Sequence, residues 1–381
     1  MNSELFELDE EQRMIVNMIK SFTEKEIKPI AQKIEEERIF PREIFNKMAE
    51  NGLVGITTDE KYGGAGQKYL TYIYVMEEIA KQCVNTAGLY SVHMTTQYIL
   101  KNYSDEEQKM KYLTRLARGE IIGALCLTEP NAGSDAAAIV STAKKNGNDY
   151  IINGTKVFIT SGGEAELYIV FAKTDPSAAA KGISAFIVEK DNLGLSFGKK
   201  EDKMGYNGSP TREVIFQDCR IPQENLIGKE GQGFKIVMDS LEVGRISVAA
   251  IGLGLAQASL DVAVNYLKER KQFEQQLSNF QGLQFMIADM AMEIEASRLL
   301  VYEAATAKDK GLPIAKISSM AKLHATDTAM KVSTDAVQLL GGYGYMKEYA
   351  VERYMRQAKI FQIVEGTNQI QRMIIARKIF E

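Results

Sequence analysis

Residues 234–270 read FKIVMDSLEVGRISVAAIGLGLAQASLDVAVNYLKER, a long apolar stretch with helical spacing that contains no proline. A helix that is apolar on nearly all sides must be buried among other helices. Two more long helical patterns follow, over residues 280–311 and 315–342, and only Pro313 interrupts this part of the chain. Helices of this length usually pack side by side in antiparallel bundles. We therefore predict a C-terminal helical bundle over residues 231–381.

The stretch before the bundle, residues 126–230, has a different texture. It holds four of the seven prolines and several short runs rich in β-branched residues, among them TKVFIT, ELYIVFAKT and REVIFQD. Asn153-Gly154 predicts a two-residue hairpin turn. Short strands with no long helix between them indicate a small antiparallel barrel or sandwich. Residues 1–125 show helical patterns again, so the predicted order is helical, β, helical.

The composition excludes several classes of protein. With 45% hydrophobic and 25% charged residues, it is that of an ordinary soluble globular protein. A net charge of -4 gives no reason to expect nucleic acid or an anionic membrane as a partner. The chain has no window of about 18 uninterrupted apolar residues, so we expect no membrane span. The acidic N-terminal stretch MNSELFELDEEQ is typical of neither a secretory signal nor a transit peptide, and we expect a cytoplasmic protein.

Cysteine and histidine are scarce. Cys83, Cys126 and Cys219 are far apart and form no C-x-x-C pair, so we predict buried free thiols. His93 and His324 are too few and too distant in sequence for a zinc site or a Ser-His triad, and we expect no metal site. Catalysis by this chain should depend on carboxylates or on a cofactor.

Two polar segments border the predicted β part. Residues 125–137, LCLTEPNAGSDAA, can offer backbone N–H groups and hydroxyls to a phosphate or a heteroaromatic edge. Alternatively, they form a junction turn with Ser134 or Asp135 as a cap. Phe158 and Thr160 place an aromatic ring and a hydroxyl near a strand end, where they could contact a flat cofactor. The plainer alternative is a strand followed by a turn.

The glycine-rich stretches and the arginines are ambiguous. Residues 228–234 and 341–345 lack the features of a Rossmann fingerprint or a P-loop. We interpret residues 228–234 as a connector. The glycines of residues 341–345 would allow the backbone to approach a ligand closely. Arg245 lies in the apolar helical pattern and needs an anionic partner if buried: a substrate phosphate, a carboxylate such as Glu365, or a structural ion pair. Arg270, taken alone, is a solvated charge.

Glu365 lies in the stretch IVEGTNQIQR, residues 363–372. It can be an acidic residue near a helix N-terminus, with Thr367 as the N-cap. It can instead be a partly desolvated carboxylate beside Ile363 and Val364, whose raised pKa suits a base. Local sequence leaves both interpretations open.

These segments together resemble the acyl-CoA dehydrogenase family over nearly the whole chain. The motifs that carry the resemblance stand in the family's order: LTEPNAGSD, KVFITSGG, KMGYNGSP, GKEGQGF, RKQFEQQLSNFQ, AVQLLGGYGY, VERYMRQAKI and IVEGTNQIQR. The nearest type is the short-chain, butyryl-CoA one. The resemblance implies an α+β fold with an N-terminal helical domain over residues 1–125, a middle antiparallel β-barrel or sandwich domain over 126–230, and a C-terminal four-helix bundle over 231–381 that carries the catalytic base.

The resemblance also implies FAD, bound between the β domain and the bundle in a homotetramer built as a dimer of dimers. Positions that contact the flavin and its phosphates match Leu125, Leu127, Thr128, Gly133 and Ser134, with Phe158 over the ring and Thr160 near its N5. Positions that hold the pyrophosphate and adenine from a neighbouring subunit match Arg270, Phe273, Phe280, Gln281, Gln338 and Gly342. Further FAD contacts match Thr367 and Gln369.

Substrate positions follow from the same resemblance. Positions near the acyl-CoA match Ser134, Glu242, Arg245, Val364 and Gly366, and the acyl pocket is expected near Tyr90, His93, Met94 and Gln97. The implied reaction is α,β-dehydrogenation of an acyl-CoA to the 2-enoyl-CoA, as in fatty acid metabolism. Glu365 removes the α-proton while the β-hydride goes to flavin N5, and the Glu365 backbone N–H with an FAD ribityl hydroxyl polarises the thioester carbonyl. Electrons then pass to electron-transfer flavoprotein.

Some positions bear on how far the resemblance reaches. Some family members carry the base one residue before the helix arginine; this position is Gly244 here, which favours Glu365 as the base. Val364 stands where many relatives have Tyr, so either the pocket is wider, for a branched, cyclic or aryl acyl group, or the site is simply repacked. Glu274, Ala350 and Gln357 stand where Gly, Pro and Asp are usual.

Three alternative functions share the same residues. An enoyl-CoA reductase would run the reverse reaction, and an acyl-CoA oxidase would admit oxygen to the reduced flavin. A catalytically silent flavoprotein would keep only the fold. The intact Glu365 argues against the last alternative.

Overall fold

The computed structural model describes residue 6 and residues 8–381 of the chain. The helices are α1 (Glu10–Phe22), α2 (Ala31–Glu36), α3 (Arg42–Glu50), α4 (Tyr69–Gln82), α5 (Val84–Tyr103), α6 (Glu106–Gln108), α7 (Thr114–Ala117), α8 (Gly233–Glu269), α9 (Gln281–Asp309), α10 (Ala315–Leu340), α11 (Ala350–Phe361) and α12 (Asn368–Phe380). The strands are β1 (Gly123–Cys126), β2 (Thr142–Asn146), β3 (Asp149–Thr160), β4 (Leu167–Lys173), β5 (Ile183–Glu189), β6 (Leu195–Phe197), β7 (Thr211–Pro222), β8 (Leu226–Ile227), β9 (Lys271–Gln272) and β10 (Gln275–Gln276). The predicted order of helical, β and helical parts is confirmed.

Helix α8 is the element that both helical parts share. It is 37 residues long, and it packs against α4 and α5 of the first helical part and against α9 and α10 of the second. Close approach depends on glycine at one of these contacts: a Cβ built on Gly254 would lie only 2.5 Å from the carbonyl oxygen of Glu77 on α4. A larger residue there would push α4 and α8 apart.

Among the described helices, α8 is also the one that is long and apolar enough to cross a membrane. Its most apolar window is 83% buried inside the protein. The core helix of a bundle has the same length and composition, and this degree of burial is that of a core helix.

The β part is one eight-stranded sheet in the order β6-β7-β3-β2-β4-β5-β8, with β1 beside β4. Most neighbours are antiparallel, as predicted. Strand β1, however, runs parallel to β4, and β2 meets β4 in a short parallel contact at Thr142 and Lys173. The sheet is therefore mixed rather than purely antiparallel. Parallel pairing occurs at β4 because this strand is covered on both faces, the environment in which parallel strands are stable.

The two faces of β4 belong to different cores. Tyr168 and Val170 join the main core, whereas Ile169 and Phe171 join a second core shared with residues of α5 and the start of α8. All four side chains are fully buried. The centre of the sheet thus holds the N-terminal and C-terminal helices in fixed positions relative to the β part.

The predicted hairpin turn at Asn153-Gly154 is wrong. Both residues lie inside β3, at a shift in its pairing register with β7. A Cβ on Gly154 would lie 2.1 Å from the Ser141 Oγ, so this glycine permits a bulge against a neighbouring segment. The β2–β3 hairpin turns instead at Gly147-Asn148, where Gly147 takes the positive φ of 64° that a tight turn needs.

A buried carboxylate fastens three parts of the chain together. Glu35 is 2% exposed and accepts hydrogen bonds from the Asn85 side chain (2.9 Å), from the Asn207 backbone and side chain (3.0 and 2.9 Å) and from the Gln357 side chain (2.8 Å). These donors come from α5, from the β part and from α11. Gln357, which stands where Asp is usual in the resembled family, is therefore a donor to a carboxylate here.

Replacing Gln357 by Glu should destabilise the fold. The substitution removes the donor and places a second carboxylate against buried Glu35, which should lower the free energy of unfolding by about 2–3 kcal/mol at pH 7 in urea denaturation. Gln32→Glu is the matched control, because Gln32 makes the same amide-to-carboxylate bond to Glu36 (2.9 Å) on the exposed face of α2. The Gln32→Glu substitution should lower the free energy of unfolding by less than about 0.5 kcal/mol. Equal losses of unfolding free energy in the two variants would show that the buried hydrogen bond from Gln357 to Glu35 contributes no more to stability than the exposed one.

Candidate active site

The turn between α11 and α12 has an unusual backbone. Glu365 and Gly366 both have positive φ, 55° and 88°. For a residue other than glycine this conformation costs about 1–3 kcal/mol and persists only where the surroundings fix it. Here the Gln371 side-chain amide donates to the carbonyl oxygens of Glu365 (3.2 Å) and Gly366 (2.9 Å), and Thr367 caps α12 by accepting from the Ile370 N–H (3.3 Å). The predicted N-cap role of Thr367 is present.

The Glu365 carboxylate lies against the bare α-carbon of Gly244 on α8. A Cβ built on Gly244 would be 2.8 Å from the Glu365 Oε2. The carboxylate thus occupies space that any side chain at residue 244 would fill. The strained turn directs the carboxylate towards α8, and α8 has room for it because Gly244 has no side chain.

The site leaves charged groups without partners. Burial raises the pKa of Glu365 to about 7, although Arg245 and then Lys322 pull it in the opposite direction. Among the described residues, no donor reaches the buried Glu365 Oε2 and no acceptor reaches the buried Arg245 Nε. Arg245 is 6% exposed, and no carboxylate of the described chain lies within ion-pair distance of it. Unsatisfied buried polar groups are costly, so this arrangement suits a site that a polar ligand completes.

A cavity of about 220 Å³ runs alongside the same stretch of α8. It is lined by Val243 and Ser247, which flank Gly244 on the helix, and by Tyr69 and Tyr72 of α4. The Tyr72 hydroxyl bonds to the Ser247 Oγ (3.1 Å), and its pKa is raised by burial and also by the charge of Glu365. The cavity therefore lies beside the stretch of α8 that contains Gly244, although Glu365 is not among the residues that line it.

The residues predicted near the acyl pocket on α5 separate in the structure. Met94 lines the cavity, and Gln97 bonds to Thr58 in its wall (2.7 Å). Tyr90 packs edge-on against Tyr72. His93 points elsewhere: it is fully buried, bonds to the Leu116 carbonyl (3.1 Å), and burial lowers its pKa to about 3. The His93 ring thus serves the packing of the N-terminal helices.

The first predicted group of FAD contacts comes together on the β part. The segment that contains Leu125, Leu127, Thr128, Gly133 and Ser134 lies beside β3, since the Val157 N–H donates to the Thr128 carbonyl (2.8 Å). Phe158 has a positive φ of 58° and its side chain is 69% exposed, although it is a large aromatic ring. Thr160 ends β3. An exposed ring, a hydroxyl and an exposed glycine loop suit a flat heteroaromatic ligand with phosphates, so these residues fit FAD.

A buried ion pair stabilises the segment that carries the first predicted group of FAD contacts. The Lys156 Nζ donates to the Glu129 Oε1 (2.7 Å) and to the Leu127 carbonyl (2.9 Å), and both side chains are almost fully buried. Glu129 also accepts from the backbone N–H groups of Val140 and Ser141 (2.6 and 3.1 Å). The pair fixes the segment that carries the predicted flavin contacts.

The second predicted group lies at the far end of the bundle. Arg270, Gln338 and Gly342 line one cavity of about 610 Å³, and Gly341 and Gly342 have open space where a Cβ would stand. The Phe273 ring is 86% exposed and lies edge-on to Phe280 (6.1 Å between centroids), next to exposed Gln281. Within the described chain, no hydrogen bond or ion pair joins this group to the first. Such separation is expected if the two groups serve one FAD from different subunits.

The remaining predicted residues surround the turn. Gly366 and half-buried Val364 flank Glu365, and Gln369 is exposed on α12. Glu242 lies one turn before Arg245 on α8, and its pKa is raised by burial. Ser134 is exposed on the β part. The structure gives no contact between Ser134 and the turn.

Sequence reasoning missed Lys322, Lys156 and Glu129. Lys322 on α10 is fully buried, and it shares the buried face of that helix with the small residues Ala325 and Ala329. A lysine at helical spacing from buried alanines was the available signal for it. Lys156 had a comparable signal, since it lies within a strand of mostly apolar residues.

Comparisons with known proteins agree over the whole chain. Models of three acyl-CoA dehydrogenase domains match it: the N-terminal domain over residues 9–120, the middle domain over 124–219 and the C-terminal domain over 231–380. The short-chain specific acyl-CoA dehydrogenase of Clostridium acetobutylicum is 49% identical over 376 residues, which cover 98% of this chain and 99% of that protein. The acryloyl-CoA reductase (NADH) of Anaerotignum propionicum is 46% identical over 378 residues, which cover 99% of this chain and 96% of that one.

Solved structures are similarly close. The butyryl-CoA dehydrogenase of Megasphaera elsdenii superposes with a TM-score of 0.97 at 44% identity, with both chains fully covered. A chain from a study of the electron transferring flavoprotein of Acidaminococcus fermentans and flavin-based electron bifurcation superposes with a TM-score of 0.97 at 49% identity, also over both full chains.

Removing the cation of the buried pair should weaken the β part. Lys156→Met leaves Glu129 buried without its counter-charge, so we expect the free energy of unfolding in urea to fall by about 3–5 kcal/mol at pH 7. Lys144→Met, on the exposed side of β2, is the control and should change it by less than about 0.5 kcal/mol. A loss in Lys156→Met no larger than in the control would rule out the supporting role of the pair.

Ionised Glu365 should lower the free energy of unfolding at neutral pH. Because its pKa is higher in the folded than in the unfolded chain, the folded carboxyl prefers its proton, and stability is lost as pH rises from about 4.5 to above 7. Glu365→Gln should therefore be more stable than wild type by about 1–3 kcal/mol at pH 8, with the difference shrinking towards pH 5. Urea unfolding between pH 5 and 8 measures this. Glu348→Gln, an exposed control, should show no pH-dependent difference, and a flat difference for Glu365→Gln would contradict the raised pKa.

Proposed function

The chain belongs to the acyl-CoA dehydrogenase family, whose members are FAD-dependent oxidoreductases, and we propose that it converts a short, branched or cyclic acyl-CoA to the 2-enoyl-CoA with Glu365 as the base. The observation that carries the proposal is the Glu365 carboxylate itself. It lies against Gly244 on a strained turn, its Oε2 has no hydrogen-bond partner in the described chain, and its pKa is raised to about 7. A base with a pKa near the working pH is the most effective one.

The geometry of the turn supports a second role for the same residue. An α-proton of a thioester is too weakly acidic for a carboxylate unless the carbonyl is polarised. Within the described residues the Glu365 backbone N–H makes no hydrogen bond, so it is free to donate to a thioester oxygen. The positive φ that presents the carboxylate also presents this N–H. FAD, when bound, supplies the acceptor for the hydride from the β-carbon.

Arg245 and Glu242 are proposed to act on the CoA part of the substrate. Arg245 is buried, and its Nε lacks an acceptor in the described chain, so a polar group of the thioester or its pantetheine arm would satisfy it. Glu242 lies one turn nearer the start of α8 and is half-buried. A bound substrate that covers both groups would also exclude water from Glu365.

The small cavity supports a short acyl group. Its volume of about 220 Å³ lies below the range of roughly 300–1,000 Å³ that is common for ligand pockets. Tyr69 and Tyr72 fill the space on the α4 side. The short-chain specific relative and the butyryl-CoA dehydrogenase structure agree with this substrate class. Val364 leaves room beside the base for a branch or a ring.

The reverse reaction is the second candidate, and a specific observation favours it. The chain is almost as similar to an acryloyl-CoA reductase, 46% identical, as to a short-chain dehydrogenase, 49% identical. We propose electron-transfer flavoprotein as the electron partner in either direction, supported by the structural neighbour from the flavoprotein study. The same Glu365 would return a proton to the α-carbon in a reductase.

A homotetramer is proposed as the functional assembly. Phe285, Met292 and Leu299 on α9 are 61%, 62% and 41% exposed and recur every seventh residue, which places them on one face of the helix. Exposed apolar stripes of this kind mark protein contacts.

The division into domains over 1–125, 126–230 and 231–381 is likewise a proposal, supported by the ranges of the three domain models. The free, buried cysteines suit a reducing cytoplasm.

The decisive test is anaerobic bleaching of the bound flavin by saturated acyl-CoA thioesters. The panel comprises butyryl, isobutyryl, 2-methylbutyryl, hexanoyl, cyclohexanecarboxyl and phenylpropionyl thioesters. We expect fast bleaching by a four- or five-carbon thioester and a loss of at least about 10³-fold in rate for Glu365→Gln, because the variant cannot accept the proton.

Glu348→Gln serves as the matched control and should bleach at the wild-type rate, since residue 348 is exposed and lies outside the turn, before the start of α11. If no thioester bleaches the wild-type flavin, the dehydrogenase direction is wrong and reoxidation of reduced enzyme by the enoyl-CoAs tests the reductase. If Glu365→Gln bleaches as fast as wild type, Glu365 is not the base.

A further inference from the structure

Beneath the Glu365 turn lies a lysine that the reaction described above does not use. Lys322 on α10 is fully buried. Its Nζ donates to the carbonyl oxygen of Gly366 (2.9 Å) and to the Oδ1 of Asn368 (2.8 Å). One acceptor is the residue next to Glu365, and the other is the first residue of α12. The ammonium therefore fixes the strained turn to α10.

This attachment belongs to a larger polar layer between α10 and α12. The Asn368 side chain donates to the Asp327 Oδ1 (2.7 Å) and to the Thr326 Oγ1 (3.0 Å). Arg372 of α12 reaches Asp327 from the exposed side (3.2 Å). The Gln371 side chain holds the same Gly366 carbonyl as Lys322 (2.9 Å). The Gly366 carbonyl is thus bound by two donors, which leaves the turn little freedom.

The charged groups around Glu365 come from several elements. Lys322 approaches from α10, Arg245 from α8 and the Tyr72 hydroxyl from α4, while Asp327, partnered by Arg372, lies one turn along α10 from Lys322. Burial lowers the pKa of Lys322 to about 7, and Glu365 and then Asp327 act against this shift. Burial raises the pKa of Glu365, and Arg245 and Lys322 act against that shift. Each of the two buried groups therefore favours the charged form of the other.

We propose that Lys322 is a positioning residue for the base: it fixes the Glu365 turn through the Gly366 carbonyl, and its charge favours the carboxylate form of Glu365. The proposal rests on the proposed role of Glu365. It assigns to Lys322 more than a cross-link between α10 and α12, because a cross-link alone would leave the protonation of Glu365 unchanged. No contact between Lys322 and substrate is involved.

The test compares the pH dependence of flavin bleaching in four holoenzyme variants. Lys322→Met and Lys322→Gln remove the charge, and Gln keeps a donor for the Gly366 carbonyl. Lys322→Arg keeps the charge. Lys331→Met is the matched control, since Lys331 lies on the exposed face of the same helix and forms an ion pair with Asp335 there (2.9 Å). Each variant is reduced anaerobically by the thioester that bleaches the wild type fastest, between pH 6 and 9, after its flavin content has been measured.

Removal of the cation should move the pH profile to higher pH. Bleaching needs ionised Glu365, so the rate rises with pH, and the midpoint should increase by at least about one pH unit in Lys322→Met and Lys322→Gln. The rate at pH 7 should fall about tenfold or more, while the plateau at pH 9 recovers at least in Lys322→Gln. Lys322→Arg should keep a midpoint close to that of wild type, and Lys331→Met should be indistinguishable from it.

Unshifted midpoints in both neutral variants would overturn the proposal, even if their rates or stabilities fall. It is also overturned if neither neutral variant folds with flavin while Lys322→Arg does, because Lys322 is then a structural cross-link. Failure of the proposed function is a different result: it appears in the wild type, or in Glu365→Gln, before any Lys322 variant is compared.

Discussion

The close approach of other elements to α8 is the constraint on which the rest of the structure depends. This helix is 37 residues long and contacts helices from both ends of the chain. At Gly254 the absence of a side chain lets α4 come within contact of the helix backbone, and at Gly244 the absence of a side chain receives the Glu365 carboxylate. The apolar pattern that makes α8 a core helix thus also makes the low-polarity wall that desolvates the base. Fold and chemistry depend on the same surface, because a carboxylate placed there loses water without gaining a hydrogen-bond donor.

The ionisable groups inside the chain have two contrasting kinds of surroundings. Glu35 and the Glu129–Lys156 pair are surrounded by donors and counter-charges at hydrogen-bond distance, and they hold parts of the fold together. Arg245 and Lys322 are buried and Glu365 is half-buried, but the Glu365 Oε2 and the Arg245 Nε are buried atoms without partners in the described chain. A fold tolerates such atoms only at a cost in stability. The contrast distinguishes Glu35 and the Glu129–Lys156 pair from Glu365 and Arg245, although Arg212 and Glu295 elsewhere in the described chain also have buried atoms without partners.

The sequence was sufficient for the features that depend on periodicity and on single residues with few alternatives. The long helical patterns predicted the bundle, whereas the local sequence left two interpretations of Glu365 open and only the family resemblance implied a base. Features that depend on contacts distant in sequence were not accessible. Gly154 resembles a turn glycine locally, and only the approach of Ser141 shows that it serves a bulge. Strand β4 reads as any apolar strand, and only its coverage on both faces explains a parallel neighbour. Lys322 binds the Glu365 turn from more than forty residues away in sequence, and no local pattern predicts such a contact.

If Glu365 is the base, as we propose, its near-neutral pKa means that this residue does not set the direction of the reaction. A carboxyl group that gains and loses its proton near pH 7 can take an α-proton from a saturated thioester and can return one to an unsaturated thioester with similar driving force. In the proposed mechanism the free N–H of the same residue would stabilise the same developing charge in both directions, because the forward and reverse reactions share a transition state. The direction must then follow from the reduction potential of the bound flavin and from the partner that exchanges electrons with it. Residues that distinguish a dehydrogenase from a reductase at this level of similarity should therefore lie around the isoalloxazine ring and on the surface that meets the electron partner, away from Glu365.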